Sequence, residues 1–157
     1  MAVGGLLRAL VAHLGDPALA APQRTRAEAV LFDQLRPLPV APITLVLPVD
    51  PRADDVARAL LDDPTDDRTL DDWGRHVGAS ARTLARRFVA ETGSTFADRR
   101  SQVRLRAALE LLACGTPATV VAPRVGYRNV SAFVAAFRRA IGETPGAYAA
   151  RVRAAAG

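Results

Sequence analysis

Apolar residues recur three and four apart through most of the chain, the spacing of one face of an α-helix. Leu6, Leu7, Leu10, Val11 and Leu14 predict a helix over 3–14. Ala27, Val30, Leu31 and Leu35 predict a second over 23–36, stopped by Pro37 and Pro39. Residues 37–51 are proline-rich and read as an extended linker, with a short strand possible at 43–47. Val56, Leu60 and Leu61 make the apolar stripe of a helix over 52–62, with Asp54 and Asp55 in its first turn, where carboxylates suit the positive helix end. Asp62-Asp63-Pro64 ends it, and the acidic loop 62–67 is expected to face solvent.

From Thr69 onward one pattern occurs twice. Thr69 is placed to cap a helix over Leu70–Val77 with Leu70, Trp73 and Val77 inward. Ser80 is placed to cap a helix over 81–92 that carries Leu84 and Phe88 on one face and ends at Gly93. Further on, a helix near 117–125 is followed by one near 130–141 with Phe133 and Phe137 on one face. Gly74 and Gly78 stand four apart in the first repeat, as Ala122 and Gly126 do in the second. A small residue lets two helices cross closely, and the glycine permits a sharp turn between them, which is how a helix-turn-helix looks in sequence. Between the repeats, 95–114 reads as one long helix capped by Thr95, with Phe96, Val103, Ala107, Leu111 and Cys114 inward and Arg99, Arg100, Arg104 and Arg106 on the other face. Thr144, with Pro145 after it, starts a last helix over 145–154 from which Tyr148 packs back. The expected fold is all-α: two helix-turn-helix subdomains, homeodomain-like bundles, joined by a long linker helix and preceded by a helical hairpin. The expected domains are 1–50, hairpin and linker, and 51–157, with the first helix-turn-helix at 69–93, the linker helix at 95–114, the second at 117–141 and the terminal helix at 145–154.

Charge adds a partner to this picture. The chain has 21 basic and 16 acidic residues, and every basic one is arginine. Residues 1–50 are neutral, 51–72 carry eight acids against three arginines, and 73–157 carry fourteen arginines against four acids. So strong a bias in the half that holds both repeats points to a polyanion. Other chemistry finds little support. The single cysteine, Cys114, rules out an internal disulfide and lies in the apolar run Leu111-Leu112-Ala113, where packing is expected rather than a reactive thiol. His13 and His76 have no Cys or acidic partners at metal spacing, so no metal is expected. No paired carboxylates, nucleophile with base, or phosphate loop is apparent, and no cofactor is expected. Arg8 and His13 interrupt the apolar N-terminal stretch that a signal peptide would need, and no run is long enough for a membrane span, so a cytoplasmic protein is expected.

Helical geometry selects the residues that would meet the polyanion. With Leu84 at zero and about 100° per residue, Arg82 falls at about 160° and Arg86 at about 200°. Both point away from the core, in the N-terminal half that enters the major groove in a helix-turn-helix. Arginine there can bond guanine O6 and N7 together. Thr83, Ala85 and Val89 flank this face, and Arg87 lies nearer the core edge, suited to phosphate or solvent. In the second repeat, Ser131 and Ala135 occupy the positions of Arg82 and Arg86. Ser131 can bond a base edge or phosphate, whereas Val134 and Ala135 can touch only a thymine methyl. Arg138 and Arg139 lie further along and suit phosphate.

Residues of about 51–150 resemble the DNA-binding domain of the AraC/XylS family of bacterial transcription regulators. The resemblance is carried by Gly78-x-Ser80-x-Arg82-x-Leu84, Phe88, Glu91-Thr92-Gly93, Gly126-Tyr127-x-Asn129-x-Ser131-x-Phe133-x-x-x-Phe137-Arg138 and Gly142-x-Thr144-Pro145-x-x-Tyr148. It implies a non-enzymatic, sequence-specific regulator whose two recognition helices enter successive major-groove segments of double-stranded DNA. By position it implies base contacts from Arg82, Ala85 and Arg86, and from Val130, Ser131, Val134 and Ala135. Ser80, Thr83, Arg87, Thr119, Arg128, Asn129, Arg138 and Arg139 become the expected phosphate contacts. RNA polymerase is a candidate second partner.

Three departures qualify the resemblance. Pro123 interrupts the first helix of the second repeat, a change worth about 3 kcal/mol in a helix interior. Gly74 stands where the family has alanine, at a cost of about 1 kcal/mol. The second recognition helix has few polar reading residues, so the first is expected to read and the second to clamp. Residues 1–50 resemble the helices and linker that follow the family's effector-binding barrel, so no small-molecule site is expected here. The hairpin at 3–36 could form a homodimer or pack on 52–157. Two rivals follow: a member that no longer reads DNA and works through the hairpin as a protein-interaction module, or a DNA-repair alkyl acceptor, which would need an activated Cys114 thiolate.

Overall fold

The computed structural model of the chain describes residues 9–10, 12–16, 19–34 and 43–155, with 31–34 by their backbone alone. It divides into two units, Met1–Val40 with Arg151–Gly157, and Ala41–Ala150. In the first, residues 9–10 and 12–14 are helical and α1 spans Ala21–Gln34. Arg24 donates to the carbonyls of Leu14 and Asp16, both at 3.2 Å, and so ties α1 to the end of the preceding helix. Ala27 is buried as expected, but Val30 is 42% exposed and does not face inward. Leu10 and Leu14 are half-buried, and the remaining inward positions expected of the hairpin, Leu6, Leu7, Val11, Leu31 and Leu35, lie outside the described side chains.

The second unit holds α2 (Pro51–Asp62), α3 (Leu70–Val77), α4 (Ala81–Thr92), α5 (Phe96–Ala113), α6 (Ala118–Arg124), α7 (Val130–Ile141) and the start of α8 (Pro145–Ala155). Among the described residues there is no strand. The strand considered at 43–47 is absent; this segment takes no regular structure and lays Leu47 on the first core. That core joins Ala53, Val56 and Ala57 of α2 to Trp73, Leu84 and Phe88. Caps fix where its helices begin. Asp50 accepts from the amides of Arg52 and Ala53, and Thr69 with Asp72, like Thr95 with Asp98, forms a reciprocal capping box.

The second subdomain is built round an aromatic ladder. Tyr127, Phe133, Phe137 and Tyr148 meet in sequence at centroid distances of 5.4, 5.7 and 5.7 Å. Pro123 does less damage than its place in the sequence suggests. It is exposed and sits in the last turn of α6. The amide it lacks would have served the carbonyl of Thr119, itself an exposed residue that water can reach. The helix still closes through Val125 N–H to Val121 O at 3.1 Å and Tyr127 N–H to Ala122 O at 2.9 Å.

The linker helix α5 departs from its expected faces. Its buried residues are Arg99, Val103, Leu105, Ala108, Leu109 and Leu112. The reason is that α5 is covered from both sides, by α2 and α4 of the first subdomain and by α6 of the second. A single-stripe reading cannot describe a helix with two partners. Cys114 is not inward: α5 ends at Ala113, and Cys114 is its exposed C-cap.

Three arginines placed on the outer face of α5 are turned into the protein instead. Arg99 is 2% exposed and donates to Val46 O. Arg100 donates to Arg68 O, its guanidinium 4.6 Å from the Phe96 ring centroid. Arg104 donates from Nε to Pro64 O at 2.9 Å and from Nη2 to Asp66 O at 3.2 Å. The loop 62–67 is therefore not merely a solvent face; its carbonyls receive the linker helix. A long aliphatic stem and five N–H donors allow arginine this role. The turn of the second subdomain rests on the same group: a Cβ on Gly126 would lie 2.9 Å from the Arg104 guanidinium. Arg104 thus meets both helix-turn-helix subdomains, through the 62–67 loop of the first and the Gly126 turn of the second.

Candidate nucleic-acid interface

The two recognition helices are positioned by the same devices. In the first subdomain, Ser80 Oγ accepts from Thr83 N–H at 3.1 Å and sets the start of α4. In the second, Asn129 Oδ1 accepts from Ala132 N–H at 2.7 Å and sets the start of α7. Gly78 and Gly126 both take left-handed backbone, at φ 67° and 87°, to turn the chain between helices. The connection in the first, 78–80, is two residues shorter than 125–129 in the second, and α3 lies so close to it that Gly74 has no room for a Cβ.

On α4, Leu84 and Phe88 are fully buried and Arg82 and Arg86 are exposed. Thr83 and Ala85 are partly exposed beside them, and Arg82, Thr83 and Arg86 line one shallow cleft. On α7, Phe133 and Phe137 are buried; Ser131, Ala135, Arg138 and Arg139 are exposed, and Val130 and Val134 partly so. These six outward residues line one open groove. Thr119, Arg128 and Asn129 are also exposed.

Electrostatics separates the arginines further. Among the described residues Arg82, Arg86, Arg138 and Arg139 take part in no ion pair, so their guanidinium groups are available. Arg87 is committed inward, with Nε 3.4 Å from Asp50 Oδ2 and Nη1 3.3 Å from Glu91 Oε1. Glu91 also accepts from the amides of Val49 and Asp50 at 2.7 and 2.8 Å. The Asp50 amide, then that of Val49, holds the Glu91 carboxyl below the ordinary glutamate range. Arg128 meets Asp67 at 2.7 Å, and this pairing holds the Asp67 carboxyl below its ordinary range. Arg128 remains 89% exposed, so its other donors are open. Sequence reasoning missed all three acidic partners, Asp50, Glu91 and Asp67. For Asp67 the signal was the acidic surplus of 51–72, which answers part of the basic surplus that follows.

A model of the helix-turn-helix domain matches residues 73–151, from Trp73 in α3 through both recognition helices. The regulator NimR of Escherichia coli K12, an HTH-type transcriptional regulator, is 34% identical over 133 residues, covering 85% of this chain and 49% of NimR. The chain thus spans about half the length of that relative. The DNA-binding domain of AdpA, solved in complex with a target DNA, is 30% identical with a TM-score of 0.62, covering 66% of this chain and 94% of that one. A probable AraC family regulator from Rhodopseudomonas palustris shares the fold at 23% identity and a TM-score of 0.59, covering 64% of this chain and 96% of its own. The match takes in about half the chain and both turns that position α4 and α7, and on that ground the protein belongs to the AraC-type helix-turn-helix family of DNA-binding regulators.

Proposed function

We propose that this chain is the DNA-binding part of a sequence-specific transcription regulator. It inserts α4 and α7 into successive major-groove segments, with α4 dominant in base reading. The observation that supports this best is the pair of unengaged, outward arginines, Arg82 and Arg86, in the N-terminal half of α4. AdpA, whose related domain was solved on a target DNA, supports the same use of the fold. Arg82, Ala85 and Arg86 read bases from α4, while Ser131, Val134 and Ala135 face bases from α7. Thr83, Thr119, Arg128, Arg138 and Arg139 meet phosphate. Ser80 and Asn129 contribute through the helix starts they cap, and Arg87 acts from the edge, steadied by Asp50 and Glu91. The protein acts by binding alone, in the cytoplasm, with RNA polymerase as a second partner and the hairpin at 3–36 as a dimerisation element.

Salt dependence tests this directly. If about five phosphates are neutralised, log K for a labelled duplex falls with log salt at a slope of about −4 to −5. A flat response, or no binding, contradicts the proposal. The non-reading alternative loses its main motive, because Pro123 lies in an exposed last turn and leaves the α7 turn closed.

A further inference from the structure

The outward face of α7 differs in kind from that of α4. At the two positions where α4 carries Arg82 and Arg86, α7 carries Ser131 and Ala135, flanked by Val130 and Val134. The groove these four line is completed by Arg138 and Arg139, further along the helix. Ser131 is the one hydrogen-bonding side chain among the first four, and a serine hydroxyl bonds donors and acceptors alike, so it does not discriminate bases. The charge around the groove fits nucleic acid. From Leu111 to Gly142 there is no acidic residue, whereas Arg124, Arg128, Arg138 and Arg139 fall in this span.

Resting on the reading of α7 as a groove-inserted helix, we propose that α7 selects the 5-methyl groups of thymine. The second half-site then carries one or two thymines in register with Val134 and Ala135. In the major groove the thymine methyl is the one apolar feature that a base pair presents. An aliphatic side chain gains from burying it. Against a G·C pair the same side chain strips water from polar edges and gives no bond in return. The protein therefore prefers an asymmetric operator: guanine under α4, thymine methyl under α7. This goes beyond clamping, because the second subdomain contributes sequence selection without a hydrogen-bond code.

The test uses the whole 157-residue chain and an operator selected on it from randomised duplexes. Each thymine of the second half-site is replaced in turn by deoxyuridine, which removes the methyl and keeps the pairing. Loss of affinity of about three- to five-fold at one or two positions is expected, the effect of one buried methyl. Val134→Ser, a surface change, is expected to erase that sensitivity while retaining guanine preference in the first half-site. Deoxyuridine indifference at every second-half position, with tight binding otherwise intact, overturns the methyl reading and leaves DNA binding standing. Failure to select any sequence overturns both. Indifference together with loss of self-association in Val134→Asp, read by sedimentation, overturns it in favour of a second copy on this face.

Discussion

Arg82→Ala and Arg86→Ala are each expected to weaken operator binding by about 1–3 kcal/mol and to relax preference at one base pair. Both arginines stand clear of the core, on the same face of α4, one turn apart, and neither is spent on a carboxylate of the protein. Removing one leaves the fold unchanged, because Leu84 and Phe88, on the opposite side, hold the helix. The readout is affinity for a panel of operators changed at single positions. Loss concentrated on guanine-bearing positions marks base reading. Equal loss on every duplex would show that the arginines touch only phosphate.

Gly74→Ala is expected to destabilise the protein by about 2–3 kcal/mol, read as a fall in Tm of about 2–4 °C per kcal/mol. A glycine inside a short helix looks like a weakness, and on propensity alone alanine should improve it by about 1 kcal/mol. The structure reverses that sign. A Cβ on residue 74 would lie 2.5 Å from the Ala79 carbonyl oxygen and 3.3 Å from the Ala81 nitrogen. Both are backbone atoms of the turn that leads into α4, so neither can swing aside. The Gly74 carbonyl meanwhile accepts from the Ala79 amide at 2.9 Å, which fixes that approach. Gly74 therefore lets the first recognition helix sit where it does. An unchanged or raised Tm would show that the turn has slack.

Caps, turn glycines and the Phe and Leu stripes are local features, and from them the order and bounds of α2 to α8 could be read to within a residue or two. The outward placement of Arg82 and Arg86 followed from helical period alone. What could not be read was tertiary. Gly74 needed the position of a carbonyl five residues on, which no pattern encodes. Arg99, Arg100 and Arg104 looked like a basic face because each is charged. Their donors in fact serve the carbonyls of Val46, Arg68, Pro64 and Asp66, up to 53 residues away. Cys114 followed the helical stripe until the helix stopped one residue short of it. Much of the basic surplus is therefore structural, and four exposed arginines outside any ion pair among the described residues, Arg82, Arg86, Arg138 and Arg139, lie on α4 and α7.

On the proposed reading, α4 and α7 lie in adjacent major-groove segments and α4 does the hydrogen-bonded reading. Footprinting of the bound operator tests it most directly, with dimethyl sulfate reporting guanine N7 and hydroxyl radicals reporting the backbone. The expected result is backbone protection in two patches about one helical turn apart on one side of the duplex. Guanine N7 is expected to be shielded only in the patch under α4, and that shielding is lost in Arg86→Ala. A single protected patch, or guanine shielding that persists without both Arg82 and Arg86, would contradict the account.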